Sequence, residues 1–128
     1  MSEVVKFKIP VNWEWTTLGD VFQWGSGGTP KSTNSAYYGG EIPWLIIRDL
    51  NDDPVGDSDT KITEEGLKNS SAKWVEPGSV LVAMYGSIGK LGLATARLTT
   101  NQAIAFTQPE PNDAKYLFYY LMFFFLTL

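Results

Sequence analysis

The chain has 128 residues, 44% of them apolar and 19% charged, with a formal net charge of -4. This size and balance fit one folded domain with its own core and exclude a disordered tail. The absence of Cys excludes a disulfide framework and a thiolate zinc site, and the absence of His excludes a Ser-His-Asp triad, a Cys-His pair and imidazole metal sites.

Met1 to Pro10 has no apolar stretch of the signal-peptide kind. The longest apolar run, Tyr116 to Leu126, is shorter than the ~20 residues needed to cross a bilayer. The expectation is a soluble, cytoplasmic protein without a membrane partner. Thr17 with Asp20 resembles a capping pair opening a short helix. Phe22 to Trp24 is a weak strand candidate. Gly25-Ser26-Gly27-Gly28, Gly39-Gly40, Pro54, Pro77-Gly78, Gly86, Gly89 and Pro109 then divide the chain into short pieces. Between them, strands are predicted at Pro43 to Ile47, Ser79 to Tyr85, Leu91 to Thr95 and Ala103 to Thr107. Thr63, followed by Glu64 and Glu65, offers an N-cap hydroxyl and acids where the helix dipole favours them. Asp113 opens a C-terminal segment, Ala114 to Leu126, able to form a helix of about three turns. The predicted class is α+β: a mainly antiparallel twisted sheet with short helices and long polar loops, followed by the start of a C-terminal helix. That helix is apolar nearly all round, with Leu117, Phe118, Leu121, Phe124 and Phe125 among its residues. Either it is buried inside this domain or it also packs on something outside it.

Asp49, Asp52, Asp53, Asp57 and Asp59 crowd into one short stretch; of the fourteen acidic residues nine then remain, against ten basic ones. A local basic face is compatible with that balance. The acidic stretch fails as an EF-hand, since Pro54 and Thr60 stand where Gly and Glu are required. Asp59-Thr60-Lys61 has the Asp-x-Lys shape of magnesium-dependent nucleases, with Asp49 as a second carboxylate, so a nuclease using Asp49, Asp59 and Lys61 is the enzymatic alternative. Gly86-Ser87-Ile88-Gly89-Lys90 follows a strand but lacks the P-loop pattern, with Met84 and Leu91 at the places of Gly and Ser/Thr.

What remains is polar loops between strands. Gly27-Gly28-Thr29-Pro30-Lys31 and Gly86-Ser87-Ile88-Gly89-Lys90 offer backbone amides, hydroxyls and a Lys, the groups that hold phosphate oxygens. Each loop is also compatible with a plain turn. Arg48, at the end of a predicted strand, could read guanine, or could pair with the neighbouring acids. Asn101 and Gln102 could read adenine, or could satisfy backbone groups and fix a loop. The candidate residues for holding nucleic acid are Thr29, Lys31, Arg48, Ser87, Lys90, Asn101 and Gln102, though the residues alone establish only an α+β domain with polar binding loops.

The order of the blocks carries a resemblance. Ile9-Pro10-Val11-Asn12-Trp13-Glu14-Trp15 and Leu18-Gly19-Asp20-Val21 come first, then Gly27-Gly28-Thr29-Pro30-Lys31-Ser32. Tyr37-Tyr38-Gly39-Gly40-Glu41-Ile42-Pro43-Trp44, Ile62-Thr63-Glu64-Glu65-Gly66-Leu67 and Ser70-Ser71-Ala72 follow. Pro77-Gly78-Ser79-Val80-Leu81, Gly86-Ser87-Ile88-Gly89 and Thr100-Asn101-Gln102-Ala103 close the series. Nearly the whole chain thus resembles the target-recognition domain of a type I restriction-modification specificity subunit. The resemblance implies a non-catalytic reader of one part of a split duplex DNA target. Modification subunits would bring S-adenosylmethionine and methylate adenine, and restriction subunits would use ATP and Mg to translocate and cleave. It implies a recognition domain over 1–111 and the start of a spacer helix over 112–128. Leu117, Leu121, Phe124 and Phe125 would then face a modification subunit, a second recognition domain or a second copy of the chain. The chain is expected to be either a trimmed piece or a half-subunit that pairs with itself. A third reading is a decoy that binds the modification subunit.

Overall fold

The structure is a computed structural model that describes residues 23–85, 89–109 and 118–121. In chain order its strands are β1 (Trp24–Ser26), β2 (Tyr38–Leu45), β3 (Asp53–Val55), β4 (Lys61–Ile62), β5 (Val80–Ala83), β6 (Leu91–Ala94), β7 (Thr99–Thr100) and β8 (Ile104–Thr107). A short helix, α1 (Glu64–Lys68), and two 3-10 turns, Ser35–Tyr37 and Ile47–Asp49, accompany them. Five strands form one sheet in the order β1-β8-β5-β6-β3, and three form another in the order β4-β2-β7. Pairing is mainly antiparallel, but β3 runs parallel to β6 and β7 runs parallel to β2. The class is α+β as expected, with mixed rather than purely antiparallel sheets.

The near-continuous apolar run of β5 reflects burial on both faces. Leu81 and Ala83 join Leu45, Leu50, Val75, Leu98, Ile104 and Phe106 in a cluster drawing on both sheets, so the main core lies between them. Val80, on the opposite face, packs with Leu91, Phe118 and Leu121. Residues 118–121 are helical, and their i, i+3 pair Phe118 and Leu121 caps that second face. A third cluster, with Ile42, Trp44, Ile62 and Ala72, forms around the small sheet, where Leu67 of α1 packs against it.

Several predicted elements shift for local reasons. The strand expected over Pro43 to Ile47 begins at Tyr38 and ends at Leu45. Gly39-Gly40 does not break it but forms a bulge, with Ile62 paired to both Tyr38 and Ile42. Gly39 sits at φ +80, and a Cβ on Gly40 would collide with the Ile62 carbonyl. Beyond Leu45, Asp49 Oδ2 accepts from the Ile46 amide at 2.9 Å while the Asp49 amide donates back to Ile46 O at 2.9 Å. This closes a 3-10 turn, so Arg48 rides on a turn and not on a strand end. Pro54 reads as punctuation, yet it lies in β3, an edge strand where the missing amide is tolerated. Thr63 caps α1 as expected, its Oγ1 accepting from the Gly66 amide at 3.0 Å. The Thr17–Asp20 cap and the Ala114 to Leu126 helix, apart from 118–121, lie outside the described residues, so the 1–111 and 112–128 division is not visible.

Candidate functional site

Strand register brings five segments to one end of the large sheet. Ala83 opposes Ile104, Ser26 opposes Ala105, Val82 opposes Leu91, and Asp53 lies beside Gly92. The chain therefore leaves β1 at Gly27, enters β8 at Ala103, leaves β5 at Met84, enters β6 at Lys90 and enters β3 at Asp52, all at this end. The small sheet delivers β2 and β7 to the same place, with the Asn101 amide donating to Leu45 O at 2.9 Å.

The loop after β1 is held from every side. The Gly28 amide donates to Thr100 O at 3.0 Å, and Trp44 Nε1 donates to Gly28 O at 2.9 Å. Tyr38 OH donates to Pro30 O at 2.5 Å; burial raises the phenol above its usual pKa, so it stays a donor through neutral pH. Lys73 Nζ reaches Ser26 O at 3.4 Å. Glycine is required by close approach, because a Cβ on Gly27 would collide with the Thr100 carbonyl and one on Gly28 with Ser71 and the Ala72 amide nitrogen. Gly27, Gly28 and Pro30 are buried while Thr29 and Lys31 face solvent. The sequence thus builds a rigid backbone with two outward side chains.

Charges at this end are sorted. Among the described residues the ion pairs are Lys61–Asp57 at 2.9 Å and Arg97–Glu76 at 3.0 Å, with Arg97 also over the Trp74 ring at 4.0 Å. Among the described residues Lys31, Arg48, Lys73 and Lys90 form no ion pair. Two of the carboxylates nearby, Asp49 and Asp52, turn inward, whereas Asp53, Asp57 and Asp59 are exposed. Asp49 is bound to the Ile46 amide, and Asp52 Oδ1 accepts from the Leu91 amide at 2.9 Å. Asp52 holds φ 59, a left-handed geometry that Asp tolerates better than most residues. Where cations are free and the nearest carboxylates are tied to backbone, the surface favours an anionic ligand; the exposed carboxylates beside Arg48 oppose it on that side.

The candidate residues divide accordingly. Thr29, Lys31, Arg48, Lys90, Asn101 and Gln102 all lie on the converging segments; Ser87 lies outside the described residues. Thr29 Oγ1 donates to Gln102 Oε1, tying the two loops together. Asn101 Oδ1 accepts from the Ala103 amide at 3.0 Å and closes the turn into β8. Asn101 thus has the backbone contact of its scaffold reading. Arg48 is exposed at the border of an open groove of about 540 Å³, lined also by Asp49, Asn51, Asp53, Asp57 and Asp59. Lys73, Met84 and Tyr85 join the site without having been singled out in the sequence. Lys73 is brought in by the Ser71-Ala72 contact with Gly28, which no local pattern announces, whereas exposed Tyr85 was hidden inside a predicted strand.

Nothing among the described residues favours the nuclease set. Asp49 serves the Ile46 amide, Lys61 pairs with Asp57 and donates to Ser58 O at 2.7 Å, and no three acidic residues converge as a metal site. Leu121, expected at a partner contact, is 5% exposed and packs on this domain's own sheet. Leu117, Phe124 and Phe125 lie outside the described residues. No helix among the described residues is long and apolar enough to cross a membrane.

Residues 10–127 match the family model of the type I restriction modification DNA specificity domain. The chain belongs to this family. It is 30% identical over 117 residues, 89% of its length, to the type I restriction enzyme MjaIX specificity subunit of Methanocaldococcus jannaschii. It is 32% identical over 112 residues, 83% of its length, to the EcoR124I/EcoR124II specificity subunit of Escherichia coli. The chain spans 27% and 28% of those proteins. Among solved structures, it superposes with TM-score 0.71 and 25% identity, over 92% of its length and 29% of the other, on a chain from work on complex assembly and conformational transition of the type I R-M system. The HsdS subunit from Thermoanaerobacter tengcongensis shares the fold, with TM-score 0.67 and 20% identity over 91% of this chain and 28% of that one.

Proposed function

We propose that this specificity domain reads part of a duplex DNA sequence on behalf of a type I restriction-modification complex and carries out no catalysis itself. The observation that carries the reading is the convergence of the pinned Gly27–Lys31 loop, the Arg48 turn, Lys73 and Lys90 at one sheet end, with their charges unpaired by carboxylates. Lys31, Lys73 and Lys90 are suited to phosphates, which set register but carry no sequence information. Arg48, exposed and outside any ion pair, is suited to two hydrogen bonds with a guanine. Thr29 and Gln102 hold the two loops in a fixed relation that preorganises the surface.

Within the larger assembly the domain would read one half of a bipartite target. Modification subunits would use S-adenosylmethionine to methylate adenine, and restriction subunits would use ATP and Mg, all in the cytoplasm. Residues 1–111 would form the recognition domain and 112–128 the start of a spacer helix. That helix would dock on a modification subunit and on a second recognition domain or a second copy of the chain.

Selection from a random duplex pool by the purified chain at low and moderate salt tests the reading. Enrichment of a short motif of a few base pairs is expected. Binding without enrichment that vanishes as salt rises would leave only phosphate contact and refute sequence reading by this chain. Lys90→Ala should lower affinity for every duplex and reduce the slope of log K against log salt by about one. Arg48→Ala should instead relax preference at one base pair, by ~1–3 kcal/mol.

A further inference from the structure

We infer that Met84 and Tyr85 form an apolar contact to base edges, with the C5 methyl group of a thymine as its ligand; this rests on the DNA-reading function proposed above. Among the described residues the exposed large apolar side chains are Met84 at 37%, Tyr85 at 62%, Tyr119 at 62% and Tyr120 at 49%. Tyr119 and Tyr120 belong to the helical turn that covers the sheet face. Met84 and Tyr85 stand at the loop end, directly after β5. Exposure alone says little, since scattered apolar side chains are common on surfaces. Support and surroundings say more.

The pair continues the central strand of the large sheet, where the backbone is held on both sides. The Met84 amide donates to Ala103 O at 2.8 Å, the Ala83 amide to Lys90 O at 2.9 Å and the Gly89 amide to Ala83 O at 3.1 Å. The side chains that follow so firm an anchor start from a fixed position. Lys90 lies beside them, and Lys31 and Lys73 are at the same end of the sheet, none in an ion pair among the described residues. A protein partner seated on Tyr85 would bury those ammonium groups without matching charge, whereas duplex DNA brings phosphates to them. Once phosphates lie on the lysines, a groove faces the strand end. Base edges in the major groove are polar donors and acceptors except for the thymine methyl. The methyl is therefore the feature that an aromatic ring and a thioether can take out of water together.

The test uses the full chain and its selected duplex, replacing each thymine in turn by deoxyuridine, which lacks only the methyl. One position should lose about fourfold in affinity, the worth of one buried methyl-sized group. That loss should persist in Tyr85→Phe and disappear in Tyr85→Ala, whose melting curve should match the unmodified chain because the ring lies outside the core. Sequence-specific binding with no thymine whose methyl matters, a selected motif without any A·T pair, or an undiminished methyl effect in Tyr85→Ala would overturn this inference and leave DNA reading intact. Failure to select any motif would overturn both.

Discussion

The Gly27–Lys31 loop and the Asp53–Lys61 stretch are both short polar segments, and the fold treats them in opposite ways. The first is buried along its backbone and clamped by Thr100, Trp44 and Tyr38, leaving Thr29 and Lys31 outward. The second runs along the edge strand β3 and then over the surface, with Asp53, Asp57 and Asp59 exposed. Its cation, Lys61, is held by Asp57, so the stretch presents net negative charge. One segment is a preorganised positive contact and the other an anionic border. Together they give the domain an electrostatic direction, because a polyanion is drawn to one edge of the sheet and repelled from the opposite one. Arg48 lines the groove of the anionic border.

The largest expected effect comes from breaking the clamp. Gly28→Ala places a methyl group against Ser71 and the Ala72 amide nitrogen, and backbone there cannot yield as a flexible side chain would. A loss of at least about 3 kcal/mol is expected in urea unfolding, together with loss of DNA binding. A variant as stable as the parent would show that the loop is not wedged between these segments.

Next comes the junction with β6. Asp52 donates its amide to Leu91 O and accepts from the Leu91 amide while at positive φ. Asp52→Ala removes the acceptor and puts alanine in a left-handed conformation, a loss of about 2 kcal/mol. Asp52→Asn keeps the oxygen and the tolerance for that geometry, so it should retain most of the stability. Equal losses in the two variants would assign the effect to charge instead.

Much of this fold was legible because β5, β6 and β8 are apolar runs between turn residues, and their positions survive to within a residue or two. The Thr63 cap was legible for the same local reason. The small sheet was not, since β4 and β7 are two residues each and exist only through pairing with β2. At the site, Thr29, Lys31, Arg48, Lys90 and Gln102 were chosen from chemistry and fall on converging segments. The partition between scaffold and contact was invisible. Asn101 and Gln102 are adjacent and chemically alike, yet one closes a turn to Ala103 and the other meets Thr29, a partner 73 positions away. Lys73 was missed because only the distant contact of Ser71-Ala72 with Gly28 brings it to this end, and Tyr85 because it fell inside a predicted strand.

The smallest effect tests the anionic border itself. Asp59→Asn removes one exposed charge from the groove beside Arg48 and leaves Lys61 paired. Asp57→Asn removes a charge and also frees Lys61, so it should act in the same direction and more strongly. Binding to a duplex of unrelated sequence should rise by roughly twofold for Asp59→Asn and several-fold for Asp57→Asn at low salt, and both gains should fade as added salt shortens the screening length. Stability should hardly change, since the Asp57–Lys61 pair is solvent-exposed. The pH dependence follows in sign: hydrogen bonding to Lys61 and to the Ser58 backbone lowers the Asp57 pKa below its ordinary 3.8. Whatever the pair contributes is thus present above that ordinary value and lost only as the carboxyl protonates at lower pH. The border consequently keeps its charge across the neutral range, and a variant whose non-specific affinity is unchanged at low salt would mean that DNA never approaches this edge.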